Sequence, residues 1–115
     1  MKFRLDYKES HLNIIADKLE EKKCADFLKS AYDIIDVYIK KNPFFGVSYE
    51  PVEVESDAPE IVKSMSTASK KCGVGPMASV AGAIAQSVGK FLLEQGACDV
   101  VVENGGDIFL SLNEE

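Results

Sequence analysis

The chain opens on a period of two. Phe3, Leu5 and Tyr7 alternate with Lys2, Arg4 and Asp6, and Leu12, Ile14 and Ala16 resume the alternation after Lys8, Glu9, Ser10 and His11. Such alternation marks strands with one covered face, so residues 2–16 are expected to form an antiparallel hairpin. Ile15 interrupts the rhythm, which predicts partial cover on both faces of the second strand. From residue 19 to residue 41 the period lengthens to that of a helix. Cys24, Phe27, Leu28, Ala31, Ile34, Ile35, Tyr38 and Ile39 make one broad apolar stripe, with Lys, Glu and Asp opposite. Asp17 is placed to cap this helix, Lys40 and Lys41 suit its C-terminal dipole, and Asn42-Pro43 ends it.

Residues 43–55 have no clean period. Phe44 and Phe45 are expected to plug the edge of the core, with stacking on a ligand ring as the alternative, and Val47, Tyr49, Val52 and Val54 predict one short strand. Asp57, with Glu60 three residues on, has the form of a capping box. Ile61, Met65, Ala68 and Cys72 then share a helical stripe up to Gly73. A second helix, 76–95, follows the short link Gly73-Val74-Gly75, with Pro76 at its first position and Gly96 at its stop. Ala78, Gly82, Ala85 and Gly89 leave one stripe of it nearly bare. Each glycine there costs about 1 kcal/mol relative to alanine, so a sheet, another helix or a ligand is expected to come close to the backbone. Residues 98–103 are rich in β-branched side chains and predict an interior strand, joined to a strand at 108–112 across Asn104-Gly105-Gly106-Asp107. The order β-β-α-α-α-β-β predicts one α+β domain over residues 1–115, a mainly antiparallel sheet with helices on one face.

Composition narrows the partners. With 115 residues and 46% hydrophobic content the chain can bury one ordinary core. Its net charge of −6 argues against nucleic acid or an anionic membrane as the main partner. No apolar run approaches the ~20 residues of a membrane span, and no apolar leader segment is visible at the start. A soluble, cytoplasmic chain is expected. Cys24, Cys72 and Cys98 have no paired spacing, which predicts buried thiols in a reducing compartment rather than a zinc site.

Two stretches carry candidate chemistry. Gly73 and Gly75 precede a helix whose first N–H groups lack intrahelical partners, an arrangement that suits an anion; a plain turn is the alternative. Pro76 removes one donor, and no Lys-Ser/Thr ending of a phosphate loop follows. Glu103, Asn104 and Asp107 flank Gly105 and Gly106 with oxygens able to hold Mg²⁺ or nucleotide hydroxyls. Equally, Asn104 and Asp107 suit local turn stabilisation. His11 reads as a solvated turn residue. No nucleophile–base pair is in view, so no catalytic residue is assigned.

Residues 75–85 together with Val102-Glu-Asn-Gly-Gly-Asp-Ile108 resemble an uncharacterised family of archaeal and bacterial proteins related to ApbE, the FAD:protein FMN transferase. Residues 3–10 and 50–52 resemble it as well, so the likeness spans nearly the whole chain. It implies an ApbE-like fold of which this chain is an N-terminal portion. It also implies a site for a flavin or adenine nucleotide, FAD or FMN with Mg²⁺, beside the Gly-Gly-Asp turn. On that resemblance Gly73, Gly75, Asn104, Gly105, Gly106 and Asp107 are the nucleotide-binding candidates, with Gly82 and Gly89 letting the helix pack beneath. The metal-holding residues of ApbE enzymes fall largely in the half without counterpart here, so no catalytic or metal-ligating residue carries over. The rival expectation is a non-enzymatic structural or interaction module whose glycine stripe serves packing only. Assembly is expected either way. Residues 108–112 contain no charge and no proline, only Asp107, Glu114 and Glu115 flank them, and an unblunted edge pairs with another chain. A homodimer, or a higher symmetric oligomer, is the expected outcome.

Overall fold

The computed structural model describes residues 1–112 and resolves the alternating segments into one four-stranded antiparallel sheet. Its strands are β1 (Lys2–Tyr7), β2 (Ser10–Ala16), β3 (Val100–Asn104) and β4 (Asp107–Ser111), side by side in that order. Between β2 and β3 run α1 (Glu21–Lys41), α2 (Pro43–Val47), α3 (Glu60–Cys72), a 3₁₀ turn at Pro76–Ser79, and α4 (Val80–Glu94). The architecture is α+β with antiparallel strands, as the residue pattern predicts.

Register explains which face is covered. Leu12 stands opposite Asn104, Ile14 opposite Val102 and Ala16 opposite Val100, and all six are buried. Because strand side chains alternate, this places a single apolar face toward the helices. α4 lies across β3 and β4 and buries Ile84, Ala85, Val88 and Leu92 against it. α1 closes the core through Leu28 and Ile35, and α3 through Val62 and Met65. The bare stripe of α4 now has its partner. A β-carbon on Gly89 would overlap the ring of Phe109 on β4, so the sheet itself is what approaches the helix.

Several local expectations are corrected. Asp17 does not cap α1: its Oδ1 accepts the N–H groups of Cys98 (2.9 Å) and Asp99 (3.0 Å), tying the end of β2 to the approach to β3. Those donors hold its carboxyl below the usual carboxylate range. Nor does Asp57 cap α3, which starts behind Pro59 with no side-chain cap. Residues 43–47 form a short helix, the strand expected around residues 47–54 does not form, and only Phe45 enters the core while Phe44 stays exposed. Ile15 is exposed on the outer face, so β2 is covered on one side only. On α3, Ala68 and Cys72 face solvent while Ser66 and Ser69 are buried. Ser66 donates to the Val52 carbonyl at 2.8 Å and so pins the extended segment before α3. Of the thiols only Cys24 is buried, and burial pushes its pKa up to about 11; Cys72 and Cys98 are exposed.

Candidate functional site

The β3–β4 turn is built by its glycines. Gly105 and Gly106 have φ of +58° and +100°, values that side-chain-bearing residues adopt at a cost and that a two-residue hairpin turn demands. Nothing crowds either one. The turn is anchored from below by Asn104, which is only 2% exposed. Its Nδ2 donates to Ser10 Oγ (3.2 Å) and to the Ala81 carbonyl (3.1 Å), and its Oδ1 accepts the His11 N–H (3.2 Å). Ser10 in turn shares a 2.5 Å hydrogen bond with Tyr32. One amide thus joins β2, β3 and α4, and through Ser10 reaches α1. Burial raises the Tyr32 pKa, so the phenol stays protonated and able to donate.

Above this anchor the carboxylates differ. Glu103 accepts the Gly106 N–H at 3.0 Å and the Asn13 amide at 2.8 Å, which holds its pKa below the usual carboxylate value. Asp107 lies beside the first turn of α4, its Oδ1 3.2 Å from where a β-carbon on Gly82 would stand. Its carboxylate makes no hydrogen bond or ion pair with another described residue. A negative group is favoured there by the positive end of the helix dipole.

Gly73 and Gly75 belong to a different corner. Gly73 has φ +69° and closes α3 in left-handed geometry, with the N–H groups of Gly73 and Val74 returning to Lys70 and Ser69. Gly75 is buried, and a β-carbon there would overlap the carbonyl of Ser48, so its bareness lets the 48–49 backbone pass. An open cleft of about 570 Å³ adjoins it, lined by Val47, Tyr49, Gly75 and Met77 among others. Gly75 precedes the 3₁₀ turn, whereas Gly82 lies beyond it in the first turn of α4. The fold therefore brings Asn104, Gly105, Gly106 and Asp107 together at the start of α4, and sets Gly73 and Gly75 one corner away. Ser10 and Tyr32, which hold the anchor, escaped the reading of the sequence: a serine in a turn and a tyrosine on a helix carry no local signal of a partner far along the chain.

Among the described residues no group of three or more His, Cys, Asp or Glu side chains could hold a metal ion by itself. A phosphate-bound Mg²⁺ asks less, since it is commonly held by one or two carboxylates plus the phosphates. Asp107 would supply one such carboxylate. Phe109, the aromatic residue nearest the tip along β4, is engaged against Gly89.

These features define an α+β protein in which a glycine-bearing helix is clamped to a Gly-Gly-Asp hairpin. The whole chain, residues 1–115, matches the family described as AbpE bacteria, and the protein belongs to that family. It is similar to archaeal UPF0280 proteins: 44% identical over 115 residues to one from Methanocaldococcus jannaschii, covering 99% of this chain and 46% of the relative. The Archaeoglobus fulgidus relative is 40% identical over 115 residues, with 99% and 48% covered. That of Methanococcoides burtonii is 38% identical over 109 residues, with 94% and 46% covered. The chain thus spans a little under half the length of these relatives. No described helix is long and apolar enough to cross a membrane.

Proposed function

We propose that the chain is a binding module of ApbE-like character, whose Gly105-Gly106-Asp107 tip takes the phosphate end of a flavin or adenine nucleotide together with Mg²⁺. The observation that carries this reading is the Asp107 carboxylate, held at the start of α4 by the Asn104 anchor yet engaged by no other described residue. In this reading Asp107 meets the cation, Gly105 and Gly106 let phosphate approach the backbone, and Asn104 positions the turn without touching ligand. A second reading is favoured by one specific observation: the bareness of Gly75 and Gly89 is used by Ser48 and Phe109 of the chain itself. On that reading the motifs serve packing alone.

Calorimetric titration of FAD, FMN and ADP, each with and without Mg²⁺, separates the two. The ligand reading expects Mg²⁺-dependent heat for at least one nucleotide, lost in Asp107→Ala with thermal unfolding near that of the parent chain, and lost also in Gly105→Val, whose branched side chain at φ +58° lowers stability as well. Absence of any nucleotide heat, or heat untouched by both substitutions, leaves the packing reading standing.

A further inference from the structure

β4 is an edge of the sheet among the described residues, and its outward side is apolar. Ile108, Leu110 and Leu112 are 65%, 59% and 57% exposed, far more than buried neighbours on the same hairpin. Ile15 and Val101 lie in one cross-strand row with Leu110, extending the apolar surface across three strands. The flanking Glu114 and Glu115 lie outside the described residues.

The ladder shows which backbone groups are free. Asn104 and Asp107 close a two-residue turn with two positive φ values, the geometry in which the closing residues exchange both hydrogen bonds. Antiparallel pairs then alternate, so Glu103–Ile108 and Val101–Leu110 are non-hydrogen-bonded pairs. The N–H and C=O of Ile108 and Leu110 therefore point off the edge, toward no other strand. An edge of this kind with neither charge, proline nor bulge is a template for another strand.

We propose that the 115-residue chain forms a two-fold dimer by antiparallel pairing of β4 with β4 of a second copy, centred on Leu110. The pattern is self-complementary about that residue. A two-fold there sets Leu110 opposite its own copy and Ile108 opposite Leu112, so every exposed apolar side chain of the strand meets another, and the outward N–H and C=O groups of both copies are paired. Such an isologous contact needs only one kind of surface. Strand pairing with one apolar row lies at the small end of interfaces, ~1,200 Å² in total or less, so a concentration-dependent equilibrium between monomer and dimer is expected. Each copy carries a net charge of −6, and mutual repulsion makes the dimer tighter as salt rises.

The test is sedimentation equilibrium over a concentration series at low and high salt, on the parent chain and two variants, with far-UV circular dichroism as the check on folding. The parent is expected to shift from monomer to dimer across the series, at lower concentration in high salt. Leu110→Pro removes an N–H that the monomer does not use, so it should fold and stay monomeric. Leu110→Lys places like charges opposite each other at the two-fold and should also stay monomeric. A parent chain that remains monomeric up to millimolar concentration overturns the proposal. So does a dimer that persists in folded Leu110→Lys. A dimer lost in Leu110→Lys but kept in folded Leu110→Pro overturns the edge pairing in favour of face-to-face contact through the apolar row.

Discussion

The two hairpins of this sheet share a plan and differ in nearly every detail that matters. Both pair antiparallel across a two-residue turn, and both send alternate residues inward to the helices. In the first, β1–β2, the outward residues include Arg4, Asp6, His11 and Asn13, and Asp6 accepts both Arg4 Nε (3.0 Å) and His11 Nδ1 (2.9 Å). Its turn residue Lys8 has φ +52° without being glycine, and its Nζ is tied to Asp36 on α1 at 2.5 Å. Charge and the tie to α1 make this edge a poor template for another strand. In the second hairpin, β3–β4, the outward residues of β4 are apolar and the turn is two unhindered glycines. Its inward residues reach further: Asn104 joins two other elements, β2 and α4, and Phe109 fills the bare stripe of α4. One hairpin finishes a surface. The other organises the helix above it and leaves a surface open.

That contrast can be broken at its strongest point first. Asn104→Ala removes the partner of the His11 N–H, the Ala81 carbonyl and one bond of Ser10, leaving buried groups unpaired at 1–3 kcal/mol apiece before relaxation. We expect a loss of about 3 kcal/mol in urea unfolding; an Asn104→Ala chain as stable as the parent would remove the basis for treating this hairpin as the organiser. Gly89→Val comes next. It drives a branched side chain into the Phe109 ring, an overpacking cost of about 1–3 kcal/mol. The matching Gly82→Val meets only the mobile end of Asp107 and should cost less, so thermal melts showing the reverse order would contradict the packing described for α4 and β4.

The smallest effect compares the outer faces by pH. The folded pKa of Glu103 is lowered, chiefly by the Gly106 N–H and then by Asn13, and that of Asp6 is lowered, chiefly by His11 and then by Arg4. A depressed carboxyl stabilises the fold fully above its ordinary pKa, here 4.5 and 3.8, and that stability is lost as pH falls through the folded value. Glu103→Gln and Asp6→Asn should each flatten the acid limb of the stability curve and change little at neutral pH. Both carboxylates are exposed, so the shifts will be small. An acid limb that keeps its slope in both variants would show these hydrogen bonds to be without thermodynamic weight.

Fold class and element order were legible because they rest on local periodicity. Alternation over 2–7 and 12–16, helical stripes over 19–41 and 76–95, and two adjacent glycines after β-branched residues are all written in neighbouring positions. Where local signals were ambiguous the reading slipped. Asp17 and Asp57 look like helix caps in sequence, but one bonds across to residues 98 and 99 and the other is displaced by Pro59. The segment after Pro43 is a helical turn that buries Phe45 against Tyr38, a contact no local pattern announces. The candidate site was half legible. The Gly-Gly-Asp turn declares itself, whereas the engagement of Asn104 and Glu103 by protein partners depends on side chains far away along the chain.

By itself the sequence determined that two strands begin the chain, two end it, and helices with one apolar face lie between them. It determined too that one helix must be approached closely, since glycines at 82 and 89 carry a local cost that only a neighbour can offset. What approaches, and what remains uncovered, was decided by tertiary structure. Pairing of β2 with β3, whose residues are more than eighty positions apart, put Asn104 beside Ser10 and Phe109 beneath Gly89. The same pairing left Ile108, Leu110 and Leu112 facing out. Periodicity tells each residue which side of its own element it takes, but only the order of strands in the sheet tells that side whether it meets protein or water.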